Sequence, residues 1–306
     1  MKILRYTIFF FTFALQGCDK NETTGQNSNA DIEDSYVRPV TPSSSKWISK
    51  VTEYRPAPGQ FLNTASGNEN SPNSIADKTG LLSLGGFGGY LIFQFDHTVL
   101  NDDGYDFVIL GNAIVGSSEP GIVMVAPDLN RNSKPDPEEW YELRGSEHGK
   151  AATIRGYGIT YLAPSQTEVA EDIPWNDSEG NNGVISTVHY HRQSYYPLFL
   201  DGQTLTFSGT CLQPDVTENG EIYNLKSFEW GYADNYDETY AQAVGGDNDT
   251  RNGNKFDIDN AMDSDGNSVA LEGIDFIKVY TGVNRQNGWI GEMSTEIRGA
   301  ISLSVR

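Results

Sequence analysis

Short runs in which hydrophobic and polar positions alternate dominate the chain after its first 46 residues. In one run, Leu91, Phe93 and Phe95 alternate with Ile92 and Gln94. Successive side chains of a strand point to opposite faces, so this pattern predicts strands that bury one face and expose the other. We predict strands at residues 47–54, 90–95, 105–110, 122–126, 139–143, 153–161, 204–207, 222–230, 274–280 and 300–305. Only residues 71–79 are predicted to form a helix, because no sustained helical periodicity is present.

The strand pattern predicts an all-β fold, a jelly-roll-like β-sandwich with long loops. Asp201 and Gly202 lie between two apolar runs and predict a hairpin. Residues 162–190 and 233–256 are polar and low in apolar content, so both are predicted to be long surface loops.

The first 17 residues have the pattern of a secretory signal peptide. Lys2 and Arg5 precede an apolar run that is too short to cross a membrane as a helix. The run ends in Leu15-Gln16-Gly17-Cys18, which matches the lipobox of bacterial lipoproteins and predicts lipidation of Cys18. A simple cleaved signal is the alternative. Residues 18–45 are too polar to bury a core and predict a flexible tether, followed by a β-sandwich domain at 46–306 with one or two lobes.

The net charge of −21 makes nucleic acid an improbable partner, because phosphate binding needs basic patches. Acidity suits a protein that binds divalent cations, although it also suits a highly soluble surface protein. Cys211 is the only cysteine besides Cys18, so the domain is predicted to contain no internal disulfide.

The segment between the predicted strands at 122–126 and 139–143 carries side-chain oxygens at loop positions 1, 3, 5, 9 and 12. These belong to Asp128, Asn130, Asn132, Asp136 and Glu139. Together with the backbone carbonyl of Lys134, they give the oxygen spacing that calcium prefers. Ser133 stands where an EF-hand has glycine, and no flanking helices are predicted. We therefore predict a calcium loop on a β-hairpin, with a solvated polar loop as the alternative.

A second, shorter acidic cluster consists of Asp263, Asp265 and Asn267 around Gly266. It is a weaker calcium candidate, because the same residues also suit a hairpin turn.

Aromatic residues in two glycine-containing polar segments predict a ligand-binding platform. Trp230 and Tyr232 lie beside Asp234 and Asn235, and Trp289 lies beside Asn287. A flat aromatic face can stack on a sugar ring or a planar macrocycle, while the polar neighbours hydrogen-bond its rim.

The chain contains no recognisable catalytic motif of the serine hydrolase, zinc protease or cysteine–histidine type. A pair of carboxylates for glycoside chemistry stays open, because so many acids are present. The alternatives to a binding protein are a glycan-active enzyme on a jelly roll and a structural or adhesive surface protein.

Several stretches resemble a family of Bacteroidetes cell-surface lipoproteins, over residues 47–300. They include Glu53-Tyr-Arg-Pro-Ala-Pro-Gly-Gln-Phe61, Ser83-Leu-Gly-Gly-Phe-Gly-Gly-Tyr90, Asp106-Phe-Val-Ile-Leu-Gly-Asn112 and Glu119-Pro-Gly-Ile-Val-Met-Val125. Further stretches are Trp140-Tyr-Glu-Leu143, Gln193-Ser-Tyr-Tyr-Pro197, Trp230-Gly-Tyr-Ala-Asp-Asn235 and Val279-Tyr-Thr-Gly-Val-Asn284.

The resemblance implies a jelly-roll-like binding protein anchored in the outer membrane by lipid and exposed at the cell surface. Some members of that family are linked to corrinoid (vitamin B12) uptake with a TonB-dependent transporter. The resemblance therefore implies capture of a cobamide, with a glycan as the second expected ligand class. It supplies no catalytic residues.

Overall fold

The computed structural model describes residues 35–76, 80–166, 168–240 and 252–305. The predicted signal peptide, Cys18 and most of the predicted tether lie outside these ranges, as do residues 77–79 of the predicted helix. Residues 36–306 belong to one compact unit. Within the described ranges, no helix is both long and apolar enough to cross a membrane.

Strands dominate the described residues. In chain order they are β1 (Lys50–Arg55), β2 (Leu82–Ser83), β3 (Tyr90–Leu100), β4 (Phe107–Leu110), β5 (Gly121–Ala126), β6 (Tyr141–Leu143), β7 (Ile154–Leu162), β8 (Ile173–Asp177), β9 (Asn182–Ile185), β10 (Thr204–Cys211), β11 (Val216–Asn219), β12 (Ile222–Leu225), β13 (Gly253–Phe256), β14 (Ala261–Met262), β15 (Gly273–Thr281), β16 (Glu296–Ile297) and β17 (Gly299–Ser302). The helical elements are α1 (Ser71–Ala76) and the 3-10 turns Pro137–Glu139, Ile258–Asn260 and Gly288–Ile290.

A six-stranded antiparallel sheet, in the order β1-β3-β15-β5-β6-β14, forms one layer of the fold. Its inner face carries the alternating apolar side chains that the sequence pattern predicts, including Phe93, Val125 and Ile277. They pack against Phe107 and Ile109 of the sheet β13-β4-β17, and against the short sheet β16-β2. Complete burial of such a side chain stabilises the fold by about 1.5–3 kcal/mol. The prediction of an all-β sandwich is thus confirmed.

A second core forms where the four-stranded sheet β10-β7-β8-β9 covers part of the outer face of the six-stranded sheet. Tyr161 and Phe207 of the four-stranded sheet join Tyr280 of β15 in this cluster. Gly209 allows the close contact, because a Cβ atom there would lie 2.8 Å from the Tyr280 hydroxyl oxygen. The covering sheet stops short of the remaining outer face and leaves a groove beside it.

The segment before β1 is joined to the six-stranded sheet by hydrogen bonds. The Tyr36 hydroxyl donates to the Gly273 carbonyl at 3.0 Å. The Arg38 guanidinium donates to Asp275 Oδ1 through Nε at 3.1 Å and Nη2 at 3.0 Å. Asp275 Oδ1 also accepts from the Thr98 hydroxyl, and its Oδ2 accepts from the backbone N–H of Asp128. The last part of the predicted tether, residues 36–45, is therefore hydrogen-bonded to the sheet through side chains at its start.

Two predictions about connections are wrong. Residues 162–190 are not one long loop, because they contain the hairpin β8–β9. That hairpin was missed because it buries few apolar residues, chiefly Ile173 and Ile185, which face each other at its open end. Asp201 and Gly202 do not join two paired strands either. Gly202 takes a turn conformation with φ 110°, but the strand that follows, β10, pairs with β7 instead of the preceding segment.

Candidate functional site

The groove on the outer face of the six-stranded sheet is built from one row of side chains that crosses five strands. Antiparallel pairing places Glu53 opposite Ile92, Ile92 opposite Lys278, Lys278 opposite Met124, and Met124 opposite Glu142. Directly opposed residues in a sheet have neighbouring side chains on the same face. A lysine therefore lies in the middle of the row, and a carboxylate lies at each end.

The groove encloses a cavity of about 640 Å³ above this row. Tyr90, Trp140 and Tyr280 give it aromatic walls, and Arg155 and Thr210 add polar groups from the four-stranded sheet. Both acidic segments border it, through Pro135 and Pro137 on one side and Asp263 and Ser264 on another. The volume and the mixture of apolar walls with a few polar groups are typical of small-molecule sites.

Lys278 is the cation at the centre of the groove. Its Nζ atom lies 4.3 Å from the centroid of the Tyr90 ring and 5.8 Å from that of the Tyr280 ring. An ammonium over an aromatic face is attracted by the ring quadrupole. Burial lowers the pKa of Lys278, and the charges of Glu53 and Glu142 oppose that effect. A lysine with a perturbed pKa in a cleft is a typical feature of a functional site.

Glu142 is held in place by three donors. Its Oε1 accepts from the Thr210 hydroxyl at 2.8 Å and from His148 Nε2 at 2.9 Å, and its Oε2 accepts from the Tyr280 hydroxyl at 2.9 Å. Burial alone would raise the pKa of Glu142, but the bonds from His148, Thr210 and Tyr280 outweigh it and the pKa is lowered. The groove therefore presents an ionised, rigid carboxylate.

The buried residue Tyr232 supports this carboxylate from behind. Its ring stacks on His148 with the centroids 5.7 Å apart and the planes 1° from parallel. The backbone N–H of Gly145 donates to His148 Nδ1 at 2.8 Å, so Nε2 carries the hydrogen that is donated to Glu142. Tyr232 is 0% exposed, so the prediction that it forms an exposed platform is wrong. Gly145 makes the room for its ring, because a Cβ atom there would lie 2.5 Å from the ring.

The other predicted platform residues are dispersed. Trp230 is 41% exposed and lines a different cavity of about 640 Å³ with Tyr105, Arg144 and Lys255. Trp289 is 52% exposed, and its Nε1 donates to the Glu221 carbonyl at 2.7 Å.

Their predicted polar neighbours are buried. Asn235 is hydrogen-bonded to the backbone of Phe228 and to the Asp237 carboxylate. Asn287 Oδ1 accepts a hydrogen bond from Arg285. Asp234 lies close to two further carboxylates, those of Glu119 and Glu296. These three side chains therefore do not form the rim of an exposed platform.

The predicted calcium loop brings its side chains together. Asp136 Oδ2 accepts from the amides of Asn130 and Asn132, at 2.6 and 2.7 Å. The Asp128 carboxylate accepts from the backbone N–H groups of Asn132 and Ser133, at 2.9 and 3.0 Å.

Glu139 closes the same loop. It accepts from the backbone N–H groups of Leu129 and Asp136, at 3.0 and 3.1 Å. Ser133 has φ 60°, the left-handed conformation that glycine usually supplies at this loop position. Lys134 donates its backbone N–H to Asn132 Oδ1.

The second acidic cluster forms a tight turn. Asp263 Oδ1 accepts from the backbone N–H groups of Asp265 and Asn267, at 3.0 and 2.8 Å, and Asp263 Oδ2 accepts from the Asn267 amide. Hydrogen bonds from Asn267 lower the pKa of Asp263. All three residues are thus brought together in the turn that follows β14.

Sequence reasoning missed the groove because its residues come from strands far apart in the chain. Tyr90 and Lys278 could have been noticed only as large or charged side chains at the outward positions of predicted strands. A comparison with protein-family models found none that matches the chain, and a comparison with curated proteins found no match.

Proposed function

We propose that this protein is a lipid-anchored, calcium-binding β-sandwich protein of the outer membrane surface. It captures a ligand in the groove around Lys278 and hands it to a TonB-dependent transporter. The observation that carries the proposal is the position of Lys278 against the Tyr90 and Tyr280 rings, in a row with a carboxylate at each end.

The chemistry of the groove favours a ligand with a flat or apolar face and polar groups around it. Tyr90 and Trp140 offer surfaces for stacking, and Lys278 and Glu142 offer a donor and an acceptor. A cobamide has a planar macrocycle with amide groups at its rim, so it is the first expected ligand. A glycan is the second, since a sugar ring stacks on aromatic faces and its hydroxyls bind carboxylates.

Calcium at the Asp128 loop would support this groove. The loop provides Pro135 and Pro137 to the rim, and its two ends join β5 and β6, which carry Met124 and Glu142. The ion would be coordinated by Asp128, Asn130, Asn132, Asp136, Glu139 and the Lys134 carbonyl. Binding would hold the rim in one conformation, which reduces the entropy cost of ligand capture.

The proposal is tested by titrating the full-length protein with cyanocobalamin and, separately, with a panel of oligosaccharides. Trp140→Ala and Lys278→Met should weaken the binding, because truncating a central aromatic anchor often costs about 2 kcal/mol, more than a tenfold change in affinity. Trp230→Ala is the matched control, since Trp230 is also a half-exposed tryptophan but lines the other cavity.

The outcomes separate the alternatives. If Trp230→Ala loses affinity and Trp140→Ala does not, the ligand binds in the cavity beside Trp230 and not in the groove. Cleavage of a glycan during the titration would replace capture with the glycan-active enzyme alternative. Absence of binding to either ligand class would leave the structural or adhesive alternative in place of ligand capture.

A further inference from the structure

Three carboxylates from distant parts of the chain meet inside the fold. Glu119 precedes β5, Asp234 lies after β12, and Glu296 lies in β16, which pairs with β2. One oxygen of each lies within 4.8 Å of one oxygen of both others. This group is separate from the Asp128 loop and from the groove around Lys278.

Backbone hydrogen bonds fix the positions of the three residues. The Glu119 N–H donates to the Asp234 carbonyl at 3.0 Å, and the Glu296 N–H donates to Asp234 Oδ2 at 3.0 Å. Asp234 Oδ1 accepts from the N–H groups of Asn112 and Ala113, at 3.0 and 2.8 Å. Gly111 allows this approach, because a Cβ atom there would lie 2.8 Å from Asp234 Oδ1.

The group is buried without a compensating cation from the described residues. Asp234 and Glu296 are 1% and 2% exposed. Among the described residues, no lysine, arginine or histidine nitrogen lies within 4.0 Å of any of the three carboxylates. Burying ionised carboxylates in this way is costly unless a cation pairs with them.

One oxygen in the group lacks any hydrogen-bond partner. Glu296 Oε1 is fully buried and accepts no hydrogen bond from the described residues. Buried polar atoms are nearly always satisfied, and an exception indicates a missing water, ion or proton. A cation held between the three carboxylates would satisfy this oxygen and balance the charge of the other two.

We propose that Glu119, Asp234 and Glu296 form a buried binding site for a hard divalent cation. The site offers only oxygen ligands, which excludes a preference for the softer metals that take nitrogen and sulfur. Calcium binds carboxylate oxygens at about 2.3–2.6 Å, so ligands on opposite sides of one ion are up to about 5 Å apart. The separation of the three oxygens fits that limit.

The position of the site gives the ion a structural role. Glu119 is adjacent to a strand of the six-stranded sheet, whereas Glu296 belongs to the layer that packs against it. An ion between them would join the two layers of the sandwich. Glu119 is partly exposed, whereas Asp234 and Glu296 are buried.

The carboxylates would exchange protons for the ion. Burial raises the pKa values of Glu119, Asp234 and Glu296 above the usual carboxyl range. Without a cation, the group therefore retains protons to a higher pH than ordinary carboxyl groups do. Cation binding should release them, because ligating carboxylates must be ionised.

The experiment is calorimetric titration of the full-length Asp128→Ala protein with Ca²⁺, Mg²⁺ and Mn²⁺ in buffers of different ionisation enthalpy. Asp128→Ala removes the loop site, and Glu296→Gln then distinguishes the buried site from the weaker Asp263 cluster. We expect one further ion to bind with release of protons, and Glu296→Gln to abolish that event. Glutamine is nearly isosteric with a protonated glutamate, so this variant should remain folded.

Glu292→Gln is the matched control. Glu292 is a neighbouring buried glutamate outside the group of three, and it should change the ion affinity by less than about tenfold. Absence of any binding in the folded Asp128→Ala protein would overturn the proposal, and so would unchanged binding in Glu296→Gln. The result does not depend on the cobamide or glycan titration, so failure of either proposal is recognised separately.

Discussion

The Lys278 ammonium lies 4.3 Å from the centroid of the Tyr90 ring, and the Tyr90 hydroxyl donates to Glu53 Oε1 at 2.6 Å. The tyrosine therefore contacts a cation through its face and an anion through its hydroxyl. Burial raises the pKa of Tyr90 beyond its ordinary range, so the hydroxyl stays a donor. These two contacts fix the positions of the positive and the negative charge that a ligand in the groove would meet.

The Asp128 loop is expected to stabilise the protein only when calcium is present. A ligand that binds the native state alone stabilises it by about 2.7 kcal/mol at one hundred times its Kd. Chelation should therefore lower the melting temperature of the wild type. On the Glu296→Gln background, where the buried site is removed, Asp128→Ala should abolish the remaining effect of chelation.

Asp201→Ala is a suitable control for the loop, because Asp201 is an exposed acid in a turn outside it. It should keep the full response to chelation. A melting temperature that chelation does not change in the Glu296→Gln protein would rule out calcium at the loop.

Ionisation of the buried Glu292 carboxyl group should lower the stability of the folded protein as the pH rises. Burial raises its pKa from 4.5 to about 7, and its Oε2 has no hydrogen-bond partner among the described residues. A carboxyl group whose pKa is raised in the folded protein stabilises the fold fully below its unfolded-state pKa. This stabilisation is lost as the pH rises through its folded-state pKa. The loss falls between pH 4.5 and about 7 and amounts to on the order of 3 kcal/mol.

Glu292→Gln isolates this effect from that of the other buried acids. Gln60 and Tyr195 face the same carboxyl, and Glu119 lies close enough to interact with it. Chemical unfolding across this pH range should give similar stability for both proteins at low pH and higher stability for the variant above pH 7. Parallel curves for variant and wild type would contradict the prediction.

Cys18 is predicted to carry the lipid anchor. Cys18→Ala should leave the protein unprocessed or soluble, because acyl chains and not a helix would hold it at the membrane. Cell fractionation and labelling of intact cells measure the change. A Cys18→Ala protein that still fractionates with the outer membrane and is labelled at the surface would refute lipid anchoring.

Tyr232 and Trp289 are expected to differ in their effect on stability. Tyr232→Ala removes a completely buried ring and should cost about 3–5 kcal/mol. Trp289→Ala removes a half-exposed ring with one hydrogen bond and should cost about 1 kcal/mol. Urea unfolding compares the two, and equal losses would show that exposure does not govern these sites.

The sequence predicted the structural features that are formed by residues close together in the chain. The alternation of Leu91, Phe93 and Phe95 identified their buried face, and the spacing from Asp128 to Glu139 identified a loop whose side chains hydrogen-bond within the loop. It could not predict the row from Glu53 to Glu142, because that row depends on the order and register of five strands.

The errors have similar causes. Tyr232 lies in a glycine-rich turn, which suggested exposure, but Gly145 on a distant segment opens the space that buries it. Glu119, Asp234 and Glu296 lie far apart in the sequence and become a group only after β16 has paired with β2.

Asp275 binds the Arg38 guanidinium through one carboxylate oxygen and the first N–H of the acidic loop through the other. On the proposed anchoring, mechanical tension on the tether would reach Tyr36 and then Arg38, whose guanidinium is bound to Asp275. A displacement of the Asp275 carboxylate would also shift the backbone of Asp128, which donates to its other oxygen. Release of calcium from the loop would then be sensitive to force, and a pulled protein would lose its ion while its sandwich remained folded.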